Sequence, residues 1–429
     1  MEQPTVRKTY KDKLIPTPIQ ERELRRVLDL CRSLYNTALE QRITACRRAG
    51  ASLSRSQQEA ELKVIRAAFP EYAAIHSPVV QDVLARLDKT YQAFFRRVRA
   101  GEKAGCPRYQ GRDRFHSFTF KEYGDGATLE NSFLVLSKVG RVAVRGSRTI
   151  AGTIKMVTIS QEADGWSVCF SCADVPVRPL PATGRETGIG LGLEAFDTVS
   201  NGTRIFHPGW YRKAERALKT AQRRVSRRKK GSARRRKAVT LLTKAQQNVM
   251  RQRADSHHKT ALSLVREHDT IDDEDVQTAS LLRNHHLAKS IQDAGWAAFL
   301  SILSFKAACA GRSVVAVNPA FTSQRCSEPG CGVIVQKGLS VRWHRRPAGG
   351  TTLHRDQNAA RNREWLGQCR RGGVAVARLE CQLRVPGRAL RRGPLPAGHH
   401  SGTQTVVCPS GLGASRTSRG ERNSKCHLR

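Results

Sequence analysis

A chain of 429 residues is long enough for two or three domains, and 39% hydrophobic residues with 6% aromatics allow a core without making it rich. Lys and Arg total 75 against 36 Asp and Glu, a formal charge of +39. That excess is far beyond what solubility needs, so a basic surface with no dedicated partner is set aside in favour of a large polyanion, nucleic acid first.

In chain order, residues 5–15 alternate basic and apolar side chains and read as a first strand, closed by Pro16 and Pro18. Residues 19–48 then repeat Leu24, Val27, Leu28, Cys31, Leu34 and Tyr35 at helical spacing. A second helix is expected over 78–100, with Val79, Val83, Leu84, Leu87, Tyr91 and Phe94 on one face. Its end places Arg96, Arg97 and Arg99 on a solvated or phosphate-facing edge. From 115 to 175 the period becomes two, the pattern of short antiparallel strands in a small β-barrel or curled sheet. The proline-rich segment 176–186 reads as a linker.

The stretch TGIGLGL (187–193) reads as a strand with a partner near 198–206. Between Arg212 and Lys237 stand 14 Lys or Arg and one acid, Glu215. On a helical hairpin spanning 210–266 those charges repel one another unless a phosphate backbone lies along them, and the hairpin is expected to bind nucleic acid through Arg223, Arg224, Arg227, Arg228, Lys229, Lys230, Arg234, Arg235 and Arg236. A strand at 270–276, a helix at 281–310 and a strand at 313–317 complete an α/β pattern. From residue 367 onward there is no Phe, Tyr, Trp, Ile or Asp, and this tail is expected to be disordered and out of frame with what precedes it. No apolar signal region opens the chain, no run suits a membrane span, and twelve cysteines without a signal favour reduced thiols; a cytosolic, nucleoid-associated protein is expected.

Three places invite chemistry. The glycines Gly188, Gly190 and Gly192 do not form a dinucleotide turn, since the third is misplaced and basic residues stand where an acid is needed. The acids of IDDEDV (271–276) lie at a strand end, where a divalent metal can bind or a helix can be capped. Cys326 and Cys331 form a C-x4-C pair, half a tetrahedral zinc site, with His344 and His354 as conceivable partners at non-standard spacing.

RKTYKDKLIPTPIQ, CRSLYNTALEQR, FFRRVRAGEKAGCPRYQGR, GIGLGLEAF, EDVQTASLLRNHHLAKSIQDAGW, FTSQRCSEPGCG and HRDQNAARN, in this order between about Arg7 and Arg363, resemble the TnpB family of insertion-sequence-encoded, RNA-guided DNA nucleases. The resemblance implies a mixed α+β and α/β multidomain protein. A β-barrel (1–18 and 115–175) with an inserted helical recognition domain (19–114) would precede an RNase H-like RuvC domain (187–366) carrying a zinc-ribbon insert (320–352). It implies a guide RNA and a target DNA duplex as partners, with sequence read by base pairing. The oligomeric state stays open.

The resemblance also implies three carboxylates gripping two Mg²⁺ ions. Glu274 and Asp356 take the second and third positions; Gly190 occupies the first. Glu194, about 13 Å further along an extended strand, and Asp197, on the opposite face if the strand continues, are set aside as substitutes. The zinc ribbon departs likewise: Arg346 and Gly349 stand where the partners of Cys326 and Cys331 belong. The expectation is an RNA-guided DNA-binding protein with an inactive nuclease, weak or absent Mg²⁺ and lost Zn²⁺. An active Mg²⁺-dependent endonuclease and an unguided basic nucleic-acid-binding protein are the alternatives.

Overall fold

The computed structural model describes residues 4–372 except 113, 339, 347–349 and 351. They form two compact units, one of them Arg7–Val175 and the other beginning at Pro176 and including the first residues of the chain.

In the first unit, β1 (Thr5–Ile15) buries Tyr10, Asp12 and Leu14 by simple alternation. Thr17 then caps α1 (Pro18–Ala49): its hydroxyl accepts from the Gln20 amide while the Gln20 side chain accepts from the Thr17 amide. The helix buries the six periodic residues read from the sequence and stops at Gly50, whose φ of 60° lies in the left-handed region. A second reciprocal cap, Ser54 with Gln57, starts α2 (Arg55–Ala68), an element the sequence reading passed over. After the single turn α3 (Pro70–Ala73), α4 (Ser77–Arg99) buries Val79, Val83, Leu84, Leu87 and Phe94 and leaves Phe95 exposed.

Six further strands follow: β2 (Ser117–Phe120), β3 (Ala127–Glu130), β4 (Phe133–Leu136), β5 (Gly140–Arg145), β6 (Thr153–Glu162) and β7 (Gly165–Pro176). Together with β1 they make a seven-stranded, nearly closed barrel-like sheet in the order β2-β6-β7-β1-β5-β4-β3. Its inner face holds Leu134, Val142, Ile159, Trp166, Val168 and Phe170.

The second unit is built on β8 (Glu186–Leu191), β9 (Asp197–Val199) and β10 (Arg204–Ile205), a tight meander where the sequence suggested one partner strand. Helices α5 (Trp210–Ser226) and α6 (Ala233–Glu267) form the expected basic hairpin, followed by β11 (Thr270–Glu274). The single helix expected over 281–310 is instead α7 (Thr278–Leu281), α8 (Ala288–Ala294) and α9 (Trp296–Cys309). The cause of the second break is Gly295, at φ 67°, whose amide closes α8 on the Ile291 carbonyl. Then come β12 (Ser313–Val317), the two-stranded ribbon β13 (Trp343–Arg345) and β14 (Thr352–His354), and α10 (Arg355–Arg371).

The five-stranded sheet has the order β10-β9-β8-β11-β12, antiparallel from β8 to β10 and parallel from β8 through β11 to β12. Ile189, Phe196, Val199 and Ile271 on the sheet pack with Leu264 and Val265 of α6 and Phe299 and Leu303 of α9. No helix among the described residues is long and apolar enough to cross a membrane. Of the tail expected from 367, residues 367–371 complete α10, and 373–429 lie outside the described residues.

Candidate functional site

Helix α10 lies directly on β8 and β11, and two glycines make those approaches possible. A Cβ at Gly188 would stand 1.9 Å from the Ala360 carbonyl oxygen, and one at Gly367 would stand 2.0 Å from Oδ1 of Asp272. The crossing brings the motif residues together. Asp272 pairs with Gly188 across the parallel β8–β11 ladder, and two residues further along each strand stand Gly190 and Glu274. Asp356 lies in the first turn of α10, its amide donating to Nδ1 of the capping His354 at 3.3 Å. Its carbonyl oxygen would lie 3.1 Å from a Cβ at Gly190, and its Oδ2 would lie 3.5 Å from one at Gly192.

What stands beside Gly190 is an arginine the sequence reading gave no role. Arg363 is seven residues beyond Asp356, two helical turns, and so shares its face of α10. Its side chain is 7% exposed; Nη1 donates to the Ile189 carbonyl at 3.0 Å, and Nη2 donates to Oε2 of Glu274 at 2.5 Å. Nη1 would be 2.9 Å from a Cβ at Gly190.

Asp197 comes back alongside β8 because the strand does not continue, opposite Leu191 and so, by alternation, on the face away from Gly190. The chain turns at Gly192 and returns as β9, pairing Leu191 with Asp197 and Gly190 with Thr198. Asp197 is fully buried, and neither carboxylate oxygen completes a hydrogen bond of regular geometry among the described residues. Burial pushes its carboxyl up to about 7, against the opposing charge of Arg363 and the nearby amides of Thr198 and Gly190. The same turn carries Glu194 to His354, its Oε2 lying 3.7 Å from Nε2 of that residue, two positions before Asp356.

The remaining acids of β11 serve the packing. Asp272, wholly buried, is held by Arg371, whose Nη1 is 2.6 Å from its Oδ1 while Nη2 reaches Glu186 at 2.8 Å. Asp273 is buried and pushed up to about 6 by desolvation.

The cysteine-bearing loop is fastened to α10 by two asparagines of the NAARN segment. Asn358 and Asn362 donate to the Arg325 carbonyl at 2.7 and 2.8 Å, and Asn358 Oδ1 accepts from the Ser327 amide. Sequence reading missed both, although polar residues spaced four apart on an otherwise small helical face were the available signal. Cys326 is buried and its thiol is raised, by burial first. Cys331 is lowered by the Val333 amide, by Cys326 and by Arg346. Buried His344 meets the Lys337 ammonium at Nδ1, and both burial and that charge lower its pKa. Gly349 lies outside the described residues. Among the described residues no three His, Cys, Asp or Glu side chains gather as a metal cage.

On the basic hairpin, Thr220, Arg223, Arg224, Arg227 and Arg228 line an open concavity of about 480 Å³. Lys229, Lys230, Arg234 and Arg236 are exposed, whereas Arg235 ties the turn together by donating to the Val225 and Arg228 carbonyls at 2.7 and 3.2 Å. In the first unit, Arg96, Arg97 and Arg99 are exposed at the end of α4.

Three family models match the chain: a helix-turn-helix domain over residues 1–50, "Probable transposase" over 167–285, and a Cas12f1-like TNB domain over 296–363. A Streptomyces pristinaespiralis protein named as an RNA-guided DNA endonuclease is 34% identical over 368 residues, 83% of this chain and 88% of that one. The chain belongs to the TnpB family. A second TnpB-family relative, InsQ of Escherichia coli (strain K12), also named as an RNA-guided DNA endonuclease, is 28% identical over 82% of this chain and 90% of its own. A solved Cas12f1–sgRNA–target DNA complex matches with a TM-score of 0.51 at 12% identity, covering 80% of this chain and 82% of that one, which is a likeness of fold.

Proposed function

We propose that this TnpB-family chain binds a guide RNA and a matching DNA duplex and does not cut the DNA. The observation that carries the reading is the pair Gly190 and Arg363: where the family pattern has a first carboxylate the chain has none, and a buried guanidinium pairs with the second, Glu274. The β8–β12 sheet with α10 across it supports an RNase H-like reading of the second unit, and the β13–β14 region a ribbon-like insert.

The residues present do not fit a two-metal centre. Mg²⁺ needs several oxygens in near-octahedral array, and here Glu274 is committed to Arg363 while Asp356 remains as the other motif acid. Nor do they fit a four-ligand zinc site, because Arg346 faces Cys331 and Lys337 faces His344. Binding does not depend on either metal. It rests on guide–target pairing and on phosphate contacts from the hairpin arginines and from Arg96, Arg97 and Arg99.

The test is a guide-loaded preparation mixed with a matched duplex in Mg²⁺. Retarded but intact DNA over hours is the expected result, and cleavage products refute it. Sequencing of co-purified RNA separates guided from unguided binding: a discrete species supports a guide, a random mixture refutes one.

One observation favours the cutting alternative. Asp197, buried with the amides of Thr198 and Gly190 close to its carboxylate, is an acid brought back near β8 by the neighbouring strand. On that reading matched DNA is cut, and Asp197→Asn abolishes the cut.

A further inference from the structure

The carboxylates around Gly190 need a counter-charge from somewhere. Glu274 keeps 15% of its side chain exposed, whereas Asp197 has no exposed surface and neither of its oxygens completes a regular hydrogen bond among the described residues. An isolated carboxylate buried in protein is costly unless a positive group compensates it. The positive group that reaches them among the described residues is Arg363, bonded to Glu274 and to the Ile189 carbonyl and close enough for its charge to act on Asp197.

We propose that Arg363 is the resident cation of this cluster, a guanidinium tethered to α10 that does the charge-neutralising work of a divalent metal and closes the site to one. The geometry requires the glycine, because the guanidinium lies over the place where the side chain of residue 190 would begin. It also requires the helical spacing, which puts Arg363 on the face of α10 that carries Asp356. An arginine suits the role better than a lysine: its planar fork donates to a carboxylate and a backbone carbonyl at once. The gain is a cluster whose stability is independent of metal supply; the consequence is that restoring a carboxylate at 190 supplies a further partner for Arg363 and no metal site.

The inference deepens the disabled-nuclease reading and is tested by thermal melting of the full-length chain, with EDTA or with Mg²⁺ or Mn²⁺. Wild type is expected to melt at the same temperature in both. Arg363→Met, which keeps length and removes charge, is expected to melt about 5–10 °C lower in EDTA, as a buried pair that loses one partner does. Divalent ions then raise its melting temperature saturably, because a metal that binds only the folded cluster stabilises it by mass action. Arg363→Lys, which keeps a positive charge, is expected to show neither the full loss nor the metal response. Should Arg363→Met not fold, the double change Arg363→Met with Glu274→Gln decides: removing both charges is expected to recover folding. Equal metal responses in wild type and Arg363→Met, or a double variant no better than Arg363→Met, overturn the proposal. Cleavage by the wild type would refute the disabled-nuclease reading alone, since these shifts report on Arg363 whether or not the chain cuts.

Discussion

Gly188 and Gly190 look alike in the sequence and have different neighbours. A methyl at 188 meets the backbone of α10, Ala360 O at 1.9 Å and Glu364 N at 2.6 Å, so the helix itself must move. A methyl at 190 meets Nη1 of the paired Arg363 at 2.9 Å and the Asp356 carbonyl oxygen at 3.1 Å, a less severe approach that still disturbs the Arg363–Glu274 pair. Gly188→Ala is therefore expected to cost about 3 kcal/mol of folding stability and Gly190→Ala about 2, within the usual range for overpacking a filled site; denaturant titration checks both. Gly190→Asp alone is expected not to restore cutting, because the new carboxylate pairs with Arg363. A guide-loaded cleavage assay would settle this, and products from the single variant would show Arg363 to be displaceable.

At the scale of elements, α10 reaches into the segment whose composition looked foreign. Arg371 is the visible partner of the buried Asp272, and Gly367 is small because Asp272 lies against it. Arg371→Ala is expected to destabilise by about 2 kcal/mol, below the figure for a wholly buried pair because the arginine is partly exposed to water. Composition could not reveal this, since an isolated Arg near a helix end pairs only when a distant strand presents an acid.

The contact of α6 with the end of α8 carries a pH dependence. His257 stacks on Phe196 with centroids 5.3 Å apart, and Nε2 donates to the Ala294 carbonyl at 2.9 Å. Burial lowers its pKa from 6.5 to about 4. The unfolded chain therefore takes up a proton near 6.5 that the folded chain refuses, so the contribution is complete above pH 6.5 and is lost as pH falls towards 4. Melting temperatures across pH 4.5–7.5 are expected to fall on the acid side for wild type, and less steeply for His257→Gln.

For the whole molecule the charge is the dominant fact, and α5 concentrates it. Replacing Arg223, Arg224, Arg227 and Arg228 by alanine is expected to reduce the dependence of log K on log salt by about three units, since each phosphate contact releases close to one counterion. Binding titrations at several salt concentrations measure that slope. A hairpin that is only solvated surface predicts an unchanged one.

The sequence by itself determined the family, the basic partner surface, the α1, α4 and hairpin helices and the barrel-like sheet, because each is written in a local period or an unbroken motif. It also singled out Gly190 as the position where the family resemblance implies a carboxylate. Only the tertiary structure decided what surrounds that glycine. The tight turn at Gly192 returns Asp197 on the next strand, and α10 lays Arg363 over the site from far along the chain. Neither leaves a local signature, since a period describes what a segment buries and says nothing about which distant side chain it meets.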